Sequence, residues 1–228
     1  LREAAAAITV SDSNRDFLSG ICAGAPIERI YNGIDLSLFP PVEKIRSDAE
    51  PLLLSVGRMV EKKGLTHLLE ACAALRRSGL PVRCRLVGSG PLEAALRDRA
   101  RALGLASAAE FVGSASQEEI SAHHLPAAAA VVVPCVVASD GDRDGLPPTL
   151  LEAMARGVPV VSTRLPGIPE AVPDGEAGLL ARPGDPDDLA RVIARTLKEV
   201  EGTRSRAIAA RARVERLFDA SRTSAALL

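Results

Sequence analysis

Residues 52–64 of the chain read LLLSVGRMVEKKG, and they contain the clearest structural pattern in the sequence. Its first five residues, Leu52 to Val56, are apolar or small and end at Gly57, which is the pattern of a short strand buried on both faces. After Gly64 the apolar residues recur at helical spacing. A buried strand that leads through a glycine loop into a helix is the repeating unit of a parallel α/β sheet.

The same unit recurs along the rest of the chain. Apolar runs predict further strands over residues 83–87, 110–113, 128–133, 158–162 and 178–180. Apolar stripes at helical spacing predict helices over residues 65–75, 92–103, 117–124, 149–156 and 189–200. This alternation predicts a Rossmann-like, doubly wound parallel sheet with helices on both faces. In such sheets ligands bind beyond the carboxyl ends of the strands, which here lead into loops at Gly57, Gly88, Gly113 and Cys135.

Both ends of the chain depart from this alternation. The N-terminal end predicts a strand over 6–10, a helix over 12–19 capped by Ser11, and a strand over 28–31. The C-terminal end predicts a basic helix over 204–218 and a polar tail. We therefore divide the chain into a unit at 1–35, a linker at 36–50, a main domain at 51–202 and a terminal helix and tail at 203–228.

Composition and charge exclude several classes of protein. The 228 residues carry 28 basic and 29 acidic side chains, and this balance argues against a protein that coats nucleic acid or an anionic membrane. Aromatic residues make up only 2%, with no Trp, which argues against a stacking surface for nucleic-acid bases. The longest apolar run, residues 125–138, is shorter than the roughly 20 residues of a membrane span, and no leader peptide is evident. We expect a cytoplasmic protein.

The cysteines and histidines predict no metal site. The four cysteines (Cys22, Cys72, Cys84 and Cys135) are widely spaced without a C-x-x-C pair, so we expect small buried residues in a reducing compartment. The three histidines (His67, His123 and His124) lack the spacing of metal ligands. Asp140, Asp142 and Asp144 mimic the start of a calcium loop, but Leu151 stands where its bidentate acid belongs.

Two loops carry the chemistry. Arg58 and Lys63, on the loop that leaves the first strand of the sheet, suit a diphosphate, although a solvated basic loop is the alternative. Asp144 and Gly145 precede a helix that contains Glu152 among apolar residues. A carboxylate in that position needs a partner, which is either a sugar hydroxyl or a structural salt bridge.

A third motif argues against a dinucleotide site. Residues 88–91 read GSGP, which begins like a dinucleotide fingerprint but lacks the third glycine and follows the second strand of the sheet. We interpret it as a tight turn into a helix. An NAD-dependent oxidoreductase is therefore a weak alternative.

In their order and spacing these motifs resemble the C-terminal, donor-binding half of retaining glycosyltransferases of family 4, which have the GT-B fold. The resemblance runs from Asn32 to the last helix, and its segments are 57–64 (GRMVEKKG), 88–91 (GSGP), 111–113 (FVG), 144–147 (DGLP), 152–155 (EAMA), 157–161 (GVPVV) and 167–170 (GIPE). It implies a nucleotide-diphosphate sugar of UDP or GDP type as the donor, with no metal and no further cofactor.

The resemblance also implies roles for single residues. Arg58 and Lys63 would hold the diphosphate beside Gly57 and stabilise the leaving group, and Glu152 would bind the ribose hydroxyls. The other donor-binding positions are Val112 and Gly113 at the base, and Gly145 and Leu146 at the phosphates or the sugar. Asp144 stands where the family has the first glutamate of a pair, one methylene longer, which contacts the donor sugar.

The resemblance sets further expectations for the whole protein. Residues 1–35 correspond to the end of an N-terminal domain that supplies the acceptor site, and residues 203–228 resemble the segment that packs back on that domain. We therefore expect this chain to bind donor but to transfer little sugar alone. The acceptor would be a glycan or lipid-linked glycan in cell-surface polysaccharide synthesis, an interpretation that the long loop 136–143 favours. Membrane contact is expected only for the full-length protein. The alternative is a relative that does not transfer sugar, such as a nucleotide-sugar epimerase.

Overall fold

The computed structural model describes residues 7–21, 26–42 and 49–225. The N-terminal unit consists of strand β1 (Ala7–Thr9), helix α1 (Asp12–Ile21) and strand β2 (Ile27–Arg29), and β1 and β2 pair in parallel. As expected, Ser11 caps α1, since its Oγ accepts a hydrogen bond of 3.1 Å from the Asn14 amide.

The main sheet has six strands, all parallel, in the order β5-β4-β3-β6-β7-β8. The strands are β3 (Leu52–Val56), β4 (Arg83–Val87), β5 (Ala109–Gly113), β6 (Ala130–Val133), β7 (Val160–Thr163) and β8 (Leu179–Ala181). The strand order reverses between β3 and β6, and an open α/β sheet binds ligands at such a switch point. The structure confirms the predicted fold class.

Helices cover both faces of the sheet. They are α2 (Leu65–Arg77), α3 (Glu93–Ala102), α4 (Gln117–Glu119), α5 (Leu125–Ala127), α6 (Pro148–Arg156), α7 (Ile168–Ala171), α8 (Pro186–Lys198), α9 (Val200–Leu217) and α10 (Ala220–Ala225). Apolar residues of α2, α3 and α8 form the core on one face. Those of α6, α7 and α9 form the core on the other, together with Tyr31, Phe39 and Phe218.

Three expected elements differ in detail. The predicted helix over 117–124 is an α-helical turn followed by a π-helix, Ile120–His124, which leads into α5. The stripe predicted to end at Val200 ends at Lys198, because the backbone turns at Glu199 and Val200 starts α9 with a side chain that is 60% exposed. The polar tail contains α10.

The cysteines and the predicted linker contribute to the packing. Cys72, Cys84 and Cys135 are buried and free, as expected, whereas Cys22 lies outside the described residues. The first part of the predicted linker forms a 3-10 turn, Leu36–Leu38, and Phe39 after it is fully buried. Residues 43–48 of that linker lie outside the described part of the chain. Within the described ranges, no helix combines the length and the hydropathy that a membrane span requires.

Candidate functional site

The loops after β3, β4 and β5 form one surface at the carboxyl edge of the sheet. The Gly57 amide donates to the Val87 carbonyl at 2.9 Å, and the Gly88 amide donates to the Gly113 carbonyl at 2.7 Å. A Cβ on Gly88 would lie 2.0 Å from the Gly57 carbonyl oxygen, so this approach requires glycine. Farther along, the Glu93 amide donates to the Gly90 carbonyl at 3.1 Å, which closes a turn into α3. The segment from Gly88 thus joins the neighbouring loops and leads into this turn.

Four charged side chains meet where the loops after β3 and β6 come together. Lys63 Nζ lies 2.5 Å from Asp144 Oδ2, and Lys62 Nζ lies 2.9 Å from Asp142 Oδ2 and 3.4 Å from Asp144 Oδ1. The ion pair with Lys62 lowers the pKa of Asp142 and raises that of Lys62. The Lys63 side chain passes over Gly57, because a Cβ there would lie 3.4 Å from Lys63 Cε. The predicted residues Gly57, Lys63 and Asp144 are thus brought together.

Arg58 stands apart from this cluster. Its side chain is exposed and makes no hydrogen bond or ion pair within the described ranges 7–21, 26–42 and 49–225. The next residue, Met59, is fully buried and its amide donates to the Ser89 carbonyl at 2.8 Å. The backbone that carries Arg58 is therefore fixed, while the guanidinium remains available to an anion.

The loop after β6 is tied to the loop after β3. The Val136 amide donates to the Lys62 carbonyl at 2.9 Å, and the Ser139 amide and hydroxyl donate to the Glu61 carboxylate at 2.9 and 2.7 Å. A Cβ on Gly64, which has φ +62°, would lie 1.9 Å from the Pro134 carbonyl oxygen. These contacts hold the two loops together from their first residues outward.

The thiol of Cys135 contacts the carboxylate of Asp144. The sulfur lies 3.5 Å from Asp144 Oδ2, and the S–H donates a weak hydrogen bond to it. Burial raises the pKa of the Cys135 thiol to about 12, so the sulfur stays protonated and uncharged at neutral pH. Asp144 therefore has a neutral donor on one side and two lysines on the other.

Glu152 is the buried carboxylate of the site. It lies on α6 and is 9% exposed, and burial raises its pKa. Its Oε1 accepts a hydrogen bond of 3.1 Å from Gln117 Nε2, which acts on the pKa in the opposite direction. Among the described residues no cation pairs with Glu152, and its partner there is Gln117.

The start of α6 faces the same edge. Thr149 Oγ1 donates to the Val56 carbonyl at 3.3 Å, which fixes the helix start against the end of β3. Gly167, with φ +92°, approaches Gly145 so closely that a Cβ would lie 2.5 Å from the Gly145 carbonyl oxygen. A Cβ on Gly145 itself would meet nothing within 4 Å, so the loop is open on that side. Leu146 packs on the core and anchors the loop.

Val112 and Gly113 lie at the far side of the surface, at the end of β5. Val112 is 39% exposed, and Gly113 has φ +85° with open space where a Cβ would stand. Ser89 and Ser114, on the two loops beside them, are joined by a hydrogen bond of 3.0 Å between their hydroxyls. Gln117, four residues after Gly113, reaches Glu152 and so links this side of the surface to α6.

The sequence of the chain matches the family described as "Glycosyl transferases group 1" over residues 41–213. The chain belongs to this family. Like the fold, this assignment confirms what the sequence motifs predicted.

The relatives of this family member include two named glycosyltransferases. It is 37% identical to the amylovoran biosynthesis glycosyltransferase AmsK of Erwinia amylovora, over 87% of this chain and 49% of that protein. It is 31% identical to the GDP-mannose-dependent alpha-(1-6)-phosphatidylinositol monomannoside mannosyltransferase of Mycolicibacterium smegmatis, over 86% of this chain and 53% of that protein. The chain spans about half the length of the curated relatives it matches.

Solved structures show the same fold. Sucrose-phosphate synthase from Thermosynechococcus elongatus superposes with a TM-score of 0.85 at 29% identity, over 100% of this chain and 57% of that chain. HepE from Anabaena, solved in complex with UDP-glucose, superposes with a TM-score of 0.82 at 24% identity, over 98% and 64%. These likenesses confirm that this group 1 glycosyl transferase has the architecture of one half of a GT-B fold.

Three residues of the candidate site were not predicted from the sequence. Lys62 is adjacent to the predicted residue Lys63, and Cys135 begins the loop that contains Asp144. Nothing in the sequence indicates that Lys62 and Cys135 both contact Asp144. Gln117 carried no signal, because it stands 35 residues from Glu152 and only the fold brings them together.

Proposed function

We propose that this chain is the donor-binding half of a retaining glycosyltransferase that uses a nucleotide-diphosphate sugar. One observation carries the proposal: the structure brings a lysine–aspartate pair and a buried carboxylate to the same edge of the sheet, at the point where the strand order reverses. Cations suit the diphosphate, and a buried carboxylate suits the ribose hydroxyls.

The diphosphate would lie over the loop after β3. Arg58 has no partner among the described residues, and Lys63 is held beside Gly57 by Asp144. A phosphate oxygen is a stronger partner for Lys63 than a carboxylate that also pairs with Lys62, so Lys63 would exchange Asp144 for the diphosphate. Both cations would then stabilise the charge that develops on the leaving nucleoside diphosphate.

The nucleoside would extend towards the end of β5. Glu152 would accept hydrogen bonds from the ribose hydroxyls, and the backbone of Val112 and Gly113 would line the base. The open space at Gly113 leaves room for a planar ring to approach the main chain. The base, uracil or guanine, is left open by these backbone contacts.

The donor sugar would lie near the start of α6. Gly145 and Leu146 would present their amides to the phosphates or the sugar, and Asp144, once Lys63 is taken up by the diphosphate, would accept a sugar hydroxyl. Pro147 and Pro148 have no N–H, so the helix start offers fewer amides than usual. The amides of the preceding loop are therefore the ones that we assign to the donor.

The relatives indicate the biological setting. AmsK acts in amylovoran biosynthesis, the mannosyltransferase uses GDP-mannose, and HepE binds UDP-glucose. By analogy we propose transfer to a growing glycan or lipid-linked glycan. We propose that the acceptor site lies in the half of the relatives that this chain does not match, next to residues 1–35. Residues 51–202 would form the donor domain, and residues 203–228 would pack back on the N-terminal domain.

A thermal-shift panel tests the proposal. The purified chain is melted with UDP, GDP, ADP, their common sugar conjugates and NAD, each with and without EDTA. A ligand that binds only the native state raises the melting temperature. We expect stabilisation by one nucleoside diphosphate and its sugar conjugates, unchanged by EDTA; stabilisation by NAD alone, or by none of these ligands, would refute the donor site.

A further inference from the structure

The carboxylate of Glu152 has one oxygen engaged and one free. Oε1 accepts the hydrogen bond from Gln117 Nε2 at 3.1 Å, and no second donor reaches the carboxylate within residues 7–21, 26–42 and 49–225. Oε2 is not among the enclosed polar atoms that lack a partner, so it is open to solvent or to a ligand. The residue thus presents one oxygen to the site and one to the protein.

Gln117 is held in place by its own helix. It follows Ser116, whose hydroxyl accepts from the Glu119 amide at 3.1 Å while the Glu119 carboxylate accepts from the Ser116 amide at 2.7 Å. Farther along, Ser121 Oγ donates to the Leu38 carbonyl at 2.6 Å and fixes the π-helix. The backbone of Gln117 is therefore fixed, although its side chain stands at the surface.

The hydrogen bond from Gln117 is the main polar interaction that acts on the pKa of Glu152. Burial raises the pKa of Glu152, and the bond from Gln117 lowers it. On the elements packed against α6, the guanidiniums of Arg211 and Arg213 in α9 bond to the carbonyls of Ala155 and Glu170. Strands β6 and β7 and helix α5 contain no ionisable side chain.

We propose that Gln117 is a positioning residue that holds Oε1 of Glu152 and directs Oε2 to the ribose, so that Gln117 governs the preference for ribonucleotides over 2′-deoxyribonucleotides. The inference rests on the proposed nucleotide site. An ionised carboxylate accepts two hydroxyl hydrogens, whereas the protonated form has an O–H that must itself find an acceptor. Without the amide donor, burial alone would favour the protonated form.

The test compares ribonucleotides with deoxyribonucleotides. Isothermal titration calorimetry measures the affinity of the purified chain for UDP, GDP, dUDP and dGDP over a range of pH. The wild type is expected to prefer the ribonucleotide about tenfold or more, the size typical of a hydrogen bond to a charged group. As the pH falls through the pKa of Glu152, the preference is expected to decline.

Two variants separate positioning from structure. Gln117→Leu removes the donor, and Gln117→Glu keeps the shape but adds a carboxylate next to Glu152, so both raise its pKa. We expect each to reduce the ribose preference at neutral pH to about threefold or less, with the decline moved to higher pH and with deoxyribonucleotide affinity unchanged. Glu118→Leu, a surface change one residue further on the same helix, is the matched control and keeps the wild-type preference.

The outcomes distinguish the two proposals. If the wild type binds neither UDP nor GDP, the proposed function fails and this inference fails with it. If the wild type binds and both Gln117 variants keep its ribose preference and pH profile, the inference alone is wrong. A loss of deoxyribonucleotide affinity equal to the loss of ribonucleotide affinity would show that Gln117 only supports the fold. Melting curves establish that each variant is folded.

Discussion

At the scale of single residues, Asp144 lies between two lysines. Its carboxylate is 2.5 Å from Lys63 Nζ, and Lys62 Nζ is 3.4 Å from the other oxygen of the same carboxylate. If Lys63 turns to a diphosphate, as we propose, Asp144 keeps Lys62 and is not left as an uncompensated charge. The proposal therefore gives the adjacent lysines different roles, Lys63 towards the phosphates and Lys62 towards the protein.

This division predicts the effect of removing each lysine. Lys63→Ala is expected to weaken nucleoside-diphosphate binding by about 10- to 100-fold, because it removes a charge-assisted hydrogen bond and leaves Asp144 facing the phosphates. Nucleoside binding is expected to change little. Calorimetry with the diphosphate that binds and with its nucleoside measures both effects.

Lys62→Ala is the matched control for Lys63→Ala. The ion pairs of Lys62 lie at the surface, where such pairs contribute about 0–1 kcal/mol, so its loss should change diphosphate affinity less than about fivefold. Equal weakening of diphosphate and nucleoside in Lys63→Ala would show that Lys63 supports the fold and not the phosphates.

At this scale the sequence is most informative where residues are close in the chain. Gly57, Arg58 and Lys63 are predicted together because they stand within one loop, and the structure brings Lys63 over Gly57 while Arg58 stands apart. The partner of Glu152 was not predicted, because a hydrogen bond to Gln117 across two elements leaves no trace in periodicity or composition. The surface exposure of Arg58 likewise depends on how its loop is folded.

At the scale of elements, the sequence predicted strands better than helix ends. The bounds of β3 and β4 agree with the predicted ones. β3 is a buried apolar run that ends before Gly57, whereas β4 carries Arg83 and Arg85 and ends before Gly88. The junction of α8 and α9 was missed because Val200 extends the apolar period of α8, although the backbone breaks at Glu199. The π-helix was missed because its sequence suits an ordinary helix equally well.

Two glycines at helix ends give a matched test of loop packing. Gly64 and Gly157 have similar left-handed φ values, +62° and +73°, but only Gly64 would place a Cβ against another chain segment, 1.9 Å from the Pro134 carbonyl. Gly157→Ala should cost about 1–2 kcal/mol of stability from backbone strain alone. Gly64→Ala should cost at least about 1 kcal/mol more, because the loop after β6 must move.

Urea unfolding measures both losses, and nucleotide binding shows where each one acts. We expect Gly64→Ala to lose affinity for the diphosphate as Lys63 and Asp144 move apart, while Gly157→Ala retains it. Equal stability losses in the two variants would mean that the loop at Pro134 moves aside at no cost in free energy.

At the scale of the whole molecule, the N-terminal unit packs against α7 and the end of α9. Glu170 on α7 accepts from the Asp12 and Ser13 amides of α1 at 2.8 and 3.0 Å and from the Tyr31 hydroxyl at 3.2 Å. The rings of Tyr31 and Phe218 pack with their centroids 4.6 Å apart. These contacts join the first and last parts of the described chain. The resemblance leads us to expect that residues 203–228 pack back on the N-terminal domain, but it does not name the contacting residues, because Tyr31, Glu170 and Phe218 are far apart in the sequence.

Tyr31 reports on this docking through its ionisation. Burial raises its pKa to about 12 from the ordinary value of 10.0, so the phenol stays protonated in the folded state where the unfolded chain would lose the proton. The contribution of Tyr31 to stability is therefore complete below pH 10 and declines as the pH rises through 12. Since Tyr31 is the single tyrosine and Trp is absent, phenolate absorbance measures it without interference.

Phe218→Leu should loosen the docking and lower the pKa of Tyr31 from about 12 towards 10. Phe17→Leu, on a side chain that is 65% exposed, is the control and should leave the titration of Tyr31 unchanged. An unchanged Tyr31 titration in Phe218→Leu would show that the aromatic contact does not hold the N-terminal unit.

The turns at the amino edge of the main sheet have room for inserted or attached residues. Gly79, Gly104 and Gly157 end the helices that lead into β4, β5 and β7, and a Cβ on any of them would meet nothing within 4 Å. These turns lie at the amino edge, opposite the loops that carry the charged cluster. Peptide tags, fluorophore tethers and short insertions belong there, because added length at this edge projects into solvent and leaves the loops at the carboxyl edge undisturbed.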